Sequence, residues 1–119
     1  MAYDAHHLIA VGTSEADLCL AVETLADLGG GLVAVCRRRV LARVPLPVAG
    51  LLSEEPVETL AGRLDDLNRA AASLGSRVED PFMTLSFLAL PPIPELKLTD
   101  RGLIDAVNFQ PVPLFVDKK

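Results

Sequence analysis

Between Pro81 and Pro94 the chain reads Pro-Phe-Met-Thr-Leu-Ser-Phe-Leu-Ala-Leu-Pro-Pro-Ile-Pro, which leaves few folds open to it. The run from Phe82 to Leu90 is almost wholly apolar, so an aqueous domain must cover it from more than one side. Proline lacks an amide proton and its ring clashes with a continuing helix, so any element inside must end before Pro91. Asp80 followed by Pro81 supplies a capping carboxylate and then a residue whose fixed φ suits the first helical position. That cap predicts a short buried helix over 82–90. A buried strand stays open as the alternative, because periodicity alone does not separate the two over so short a run.

The rest of the composition sharpens that demand for cover. The chain has 119 residues, half of them hydrophobic, with a mean hydropathy of +0.37. One tyrosine, four phenylalanines and no tryptophan leave the core to Leu, Val, Ile and Ala. A chain of this length forms one domain. No apolar run approaches the roughly 18 residues that would span a bilayer, and the segment Met1 to His7 lacks the pattern of a secretory leader, so neither a membrane nor export is expected. The apolar excess points instead to a buried partner surface, within an oligomer or against another domain. A net charge of −5 excludes the phosphate-neutralising surface on which non-specific nucleic-acid binding rests. Cys19 and Cys36 match no CxxC spacing and are read as buried thiols of a protein of the reducing cytoplasm, with a disulfide between them as the minority reading.

Taken in order, His7 to Val11 reads as a short buried strand ended by Gly12. Ser14 with Asp17 three residues on forms a capping box, and Leu18, Ala21, Val22, Leu25 and Leu28 continue at helical spacing. Gly29-Gly30-Gly31 follows that helix rather than preceding one, so it is a helix stop and a close-packed strand entry, not a phosphate cradle. Leu32 to Cys36 lacks alternation and is expected to be a central strand covered on both faces, paired with Val40 to Val44. The tip Arg37-Arg38-Arg39 contains no glycine, which predicts a longer loop or a strained turn with solvated arginines.

A second helix, capped by Ser53 with Pro56 in its first turn, carries the apolar stripe Val57, Leu60, Ala61, Leu64, Leu67, Ala71, Leu74 and ends at Gly75. After the proline corner, Leu96-Lys97-Leu98 is extended, Thr99 to Gly102 turns, and Val112 to Val116 forms a last edge strand. The resulting class is mixed α/β (α+β): a single sandwich-like domain over 1–119, with a mixed sheet that includes a hairpin. Two main helices and a short third cover it.

Chemistry has little to stand on. The only histidines, His6 and His7, are adjacent, and adjacent strand residues point to opposite faces. A hydrolytic metal site needs three or more converging ligands, and no HxH, HExxH or GxSxG motif occurs. Neither cysteine has a histidine base outside the extreme N-terminus. Glu95 stands out because it follows the proline corner within an apolar region. Its ordinary reading is a carboxylate that pairs with Lys97 or Arg101 or points to water.

Motif order across the chain resembles the C-terminal domain of bacterial adenine deaminases, which belong to the amidohydrolase superfamily. The likeness runs through His6 and the segment to Gly12-Thr13, Leu28-Gly29-Gly30-Gly31, Leu46-Pro47-Val48-Ala49-Gly50-Leu51, Ser53-Glu54-Glu55-Pro56, Glu79 to Leu98 and Thr99-Asp100-Arg101-Gly102-Leu103. The resemblance implies a parent enzyme that converts adenine and water to hypoxanthine and ammonia. A divalent metal, manganese or iron, would be held there in a (β/α)8 barrel that is absent from this chain. It implies no cofactor, metal ligand or catalytic residue here.

Asp4, His6 and Glu95 are the candidates for a position near the parent active site. Where the family reads His-Asp-Ser-His-Asn, this chain has Tyr3-Asp4-Ala5-His6-His7, and where relatives carry Asp-Gly at the hairpin tip it has Arg37-Arg38. The expected role is a non-catalytic domain that packs on the metal-bearing barrel, of the same or a separate chain, or joins copies into a homo-oligomer. A stand-alone purine- or small-molecule-binding module around Asp4, His6 and Glu95 is the alternative.

Overall fold

A computed structural model describes residues 7–88, 90, 92–93, 95–99 and 101–115. In chain order the elements are α1 Glu15–Asp27, β1 Gly31–Cys36, β2 Arg39–Pro45, α2 Val57–Ser73, α3 Pro81–Leu88, β3 Leu96–Thr99, β4 Gly102–Asp105 and β5 Gln110–Val112. Two main helices and a short third accompany the strands, as an α+β chain requires. The strands, however, divide into two antiparallel sheets, β1-β2 and β3-β4-β5, rather than joining one mixed sheet.

α1 begins where its sequence says it should. Ser14 is extended (φ −124°, ψ 118°) and its hydroxyl accepts from the Asp17 amide at 3.4 Å. The helix ends in a Schellman turn, with the Gly30 amide donating to Leu25 O at 3.0 Å and the Gly29 amide to Ala26 O at 3.1 Å. Gly30 and Gly31 answer a second demand. A Cβ on Gly30 would lie 2.5 Å from the Gly50 Cα, and one on Gly31 would lie 2.2 Å from the Val44 carbonyl oxygen. The triplet therefore both stops the helix and admits the incoming strand against β2 and the following loop.

β1 and β2 pair from Gly31↔Pro45 to Cys36↔Arg39, with a bulge that leaves Leu41 as the extra residue of β2. Leu32, Ala34, Ala42 and Val44 share one face. There they meet Leu60, Leu64 and Leu67 of α2, and Leu46, Ala70 and Phe82 complete the cluster. Val44 and Leu67 are wholly removed from water, each burial favouring folding by about 1.5–3 kcal/mol. β1 is thus half of a hairpin and not the central strand expected from its unbroken apolar run. Its opposite face is only partly covered, with α1 lying beside it.

α2 starts three residues later than a Ser53 cap would place it. Pro56 holds the extended N-cap conformation (φ −54°, ψ 146°) with no side-chain cap, and Ser53 instead accepts from the Glu55 amide at 3.1 Å. Only the middle of the predicted stripe is covered, since Leu67 and Ala71 are buried while Val57 and Leu74 at its ends are exposed. Gly75, at φ 99°, ends the helix in a second Schellman turn. α3 is the short helix expected after Asp80, whose carboxylate accepts from the Met83 amide at 3.2 Å. It is not the buried helix expected over 82–90, however: it ends at Leu88, only Ser86 in it is buried, and Phe87 and Leu88 stand exposed because α2 packs on it sparsely.

Three other expectations are corrected. Residues 7–11 form no strand: Leu8 and Val11 are exposed, and an apolar run without a ladder neighbour has nothing to pair with. The final strand lies at Gln110–Val112, ahead of the predicted 112–116, because β4 at Gly102–Asp105 offers its partner edge there. Val116 itself lies outside the described residues. Cys19 is exposed and Cys36 half-buried, both free, so the pair is not a buried one.

Candidate functional site

Of the candidate residues, Asp4 and His6 lie outside the described residues. Glu95 is exposed, and its carbonyl accepts from the Ala106 amide at 2.8 Å, so its backbone anchors the end of β3. Among the described residues no group of three or more His, Cys, Asp or Glu side chains could hold a metal ion. That donor set does not fit the divalent metal that the resemblance implies.

Two polar features depend on the hairpin. Arg37 (φ 50°) and Arg38 (φ 60°) both take the left-handed conformation of a two-residue turn, which non-glycine residues adopt at a cost of roughly 1–3 kcal/mol each. Asp17 holds them there. Its Oδ1 accepts from the Arg38 amide at 2.7 Å and its Oδ2 from the Arg37 amide at 3.1 Å. The residue expected to close a capping box thus reaches across to the hairpin tip.

On the other side, Leu41, Ala42 and Arg43 of β2 and Arg63, Asp66, Arg69 and Ala70 of α2 line an open groove of about 500 Å³. Two of its three arginines are already engaged. Arg63 pairs with Glu55 at 2.7 Å (Nε to Oε2), and Arg69 pairs with Asp66 one turn away.

The C-terminal sheet presents a different surface. Its register places Leu96, Leu98, Leu103 and Val112 on one face, with Asp105 and Gln110 at one end of it. Lys97, Ile104 and Pro111 occupy the other face. Soluble sheets ordinarily turn apolar side chains inward and charged ones out. Here Lys97 is 5 % exposed, while Leu96 and Leu98 beside it are 55 % and 67 % exposed.

The β4–β5 turn continues that surface. Phe109 takes a left-handed φ of 51° and is 79 % exposed. Asp105 braces this turn, accepting from the Val107 and Asn108 amides at 2.9 and 3.0 Å and from the Asn108 side chain at 2.8 Å. The Asn108 side chain first, and then its amide, hold the Asp105 carboxyl below its ordinary value. Sequence reasoning missed this site. The signal that could reveal β4 is the Leu-Lys-Leu alternation followed, after the Thr99 to Gly102 turn, by a second short apolar pair, Leu103-Ile104.

Comparison with known proteins agrees with the motif order. The family described as the adenine deaminase C-terminal domain matches residues 1–110. The adenine deaminase of Desulfatibacillum aliphaticivorans is 51% identical over 115 residues, covering 97% of this chain and 20% of that protein. That of Moorella thermoacetica is 52% identical over 114 residues, 96% of this chain and 19% of the relative. That of Clostridium botulinum (strain Langeland) is 45% identical over 118 residues, 99% of this chain and again 20% of the relative. The chain therefore spans about one-fifth of the length of the curated relatives it matches. On the strength of a match that runs along nearly all of its residues, the chain belongs to the adenine deaminase C-terminal domain family.

Proposed function

We propose that this chain is a non-catalytic domain of an adenine-deaminase-type enzyme, whose role is to pack against the part of the enzyme that bears the metal. The observation that carries the reading is the imbalance between core and surface. Six hydrophobic residues are buried among those described, whereas large apolar side chains stand open from Leu8 to Phe115. A surface of that kind suits a domain that meets another. In the parent enzyme, a metal-activated water would replace the 6-amino group of adenine, releasing ammonia and leaving hypoxanthine. The manganese or iron and the residues that move protons would belong to the barrel. Assembly into oligomers and a cytoplasmic location are part of the same proposal.

The test is an adenine-deamination assay on the purified chain with added manganese or ferrous iron, accompanied by metal analysis. The expected result is no ammonia and no stoichiometric metal. Turnover with bound metal would overturn the reading and bring Asp4, His6 and His7 back as ligands. Saturable binding of adenine or hypoxanthine in a calorimeter would favour the binding-module alternative.

A further inference from the structure

We infer that the face formed by Leu96, Leu98, Leu103 and Val112, with Phe109 at its end, is the surface that docks on the preceding four-fifths of an adenine-deaminase-type polypeptide. The inference rests on the packing role proposed above and assigns that role to one face. Its first support is the inversion of β3. An alternating strand that buries Lys97 and opens Leu96 and Leu98 is oriented for cover from outside the described residues. The second is Phe109. Leu96 pairs with Asp105, and the turn that leaves from Asp105 brings the exposed Phe109 to the Leu96 end of the sheet.

A left-handed, outward phenylalanine persists only if its surroundings hold it, and the three hydrogen bonds to Asp105 do so. Exposed aromatics set beside aliphatic area are the anchors on which interfaces commonly depend. Asp105 and Gln110 give the face a polar end, so the occupant is an apolar surface with a pocket for one aromatic ring.

Two observations select the occupant. The relatives are about five times as long as the matched region, and the matched family is a C-terminal one, so in them this domain follows a much larger body of chain. A second copy on this same face would set two chains of net charge −5 against each other, which leaves any oligomer to form through other surfaces. Addition of a strand along β5 is also hindered, because Pro111 and Pro113 cannot donate to a ladder.

Hydroxyl-radical footprinting read by mass spectrometry tests the assignment. Labelling of Phe109, Leu96 and Leu98 would be compared in the free chain and in a chimera where this chain replaces the C-terminal fifth of the Moorella thermoacetica enzyme. The expected result is a several-fold drop in labelling at all three positions in the chimera. Leu98→Asp should leave the circular dichroism of the free chain unchanged, since that side chain is open, yet return Phe109 in the chimera to its free-chain rate. Equal labelling in both contexts overturns the inference. Protection confined to α1 or the β1–β2 hairpin also overturns it while leaving the packing role intact, and protection nowhere removes both. If the free chain becomes protected at these positions as its concentration rises, the occupant is a second copy and the inference fails.

Discussion

In β1 and β2 the leucines, valines and alanines that share one face meet α2, whereas in β3 the leucines turn outward and the lysine between them goes in. Both regions are built from short antiparallel strands of similar composition. The difference lies in what each has available to cover it. The hairpin has a 17-residue helix with Leu60, Leu64 and Leu67 on one side. The C-terminal sheet has no helix of its own, and its packing on the rest of the described chain is sparse.

The outline is elongated, 51 × 29 × 26 Å, with a radius of gyration of 15.6 Å against the roughly 13.5 Å of a compact chain this long. An apolar face is thus informative only together with its cover. With a helix it is a core; without one it stays open to solvent.

The comparison can be broken most directly by truncating one leucine in each region of the free chain. Leu67→Ala should cost about 2–5 kcal/mol in denaturant unfolding, because it opens a cavity where nothing reaches water. Leu98→Ala should fall within about 0.5 kcal/mol of the parent chain, because its side chain is already solvated. Equal losses would mean that the C-terminal sheet has a core of its own. Next in size is Gly31→Ala. Its Cβ would press on the Val44 carbonyl at a φ of +143°, and a loss of about 2–4 kcal/mol with a lowered melting temperature is expected.

Smaller effects sharpen the account of the hairpin. Replacing the tip by Arg37→Asn with Arg38→Gly should stabilise the chain by about 1 kcal/mol, since those residues accept the left-handed turn readily. Asp17→Ala should cost about 1–2 kcal/mol by removing the acceptor of both tip amides. Thermal unfolding of both variants checks the pair.

The smallest effect concerns pH. The Asp105 carboxyl is lowered in the folded chain, so its contribution is present above its unfolded value near 3.8 and is lost as pH falls through the lower folded value. The Val107 and Asn108 amide resonances should shift through that window, and Asp105→Asn should abolish the shift. A titration centred above 3.8 would contradict the bracing role of Asp105.

How far the chain could be read in advance varied with the physics of each signal. Caps, glycine stops and the proline corner act within a few residues, so α1, α3 and the end of α2 were legible from Ser14, Asp80 and Gly75. The lineage was legible too, because it rests on the order of motifs. The expected strand at 7–11 and the Ser53 cap failed because neither depends on local preference alone. The strand needed a neighbour, and the cap lost to Pro56. Glu95 drew attention as a carboxylate in an apolar setting, but its carbonyl is what the fold uses.

What the sequence determined by itself is where the helices stop, that the glycine-free tip at Arg37-Arg38 is either a longer loop or a strained turn, and that the chain carries an excess of apolar residues. Tertiary structure alone decided where that surplus falls. Strand alternation states which residues share a face but not which face is covered, and cover depends on the elements that pack there. Only the fold shows that Lys97 lies inside, that Leu96 and Leu98 lie outside, and that Asp105 braces the turn that carries Phe109.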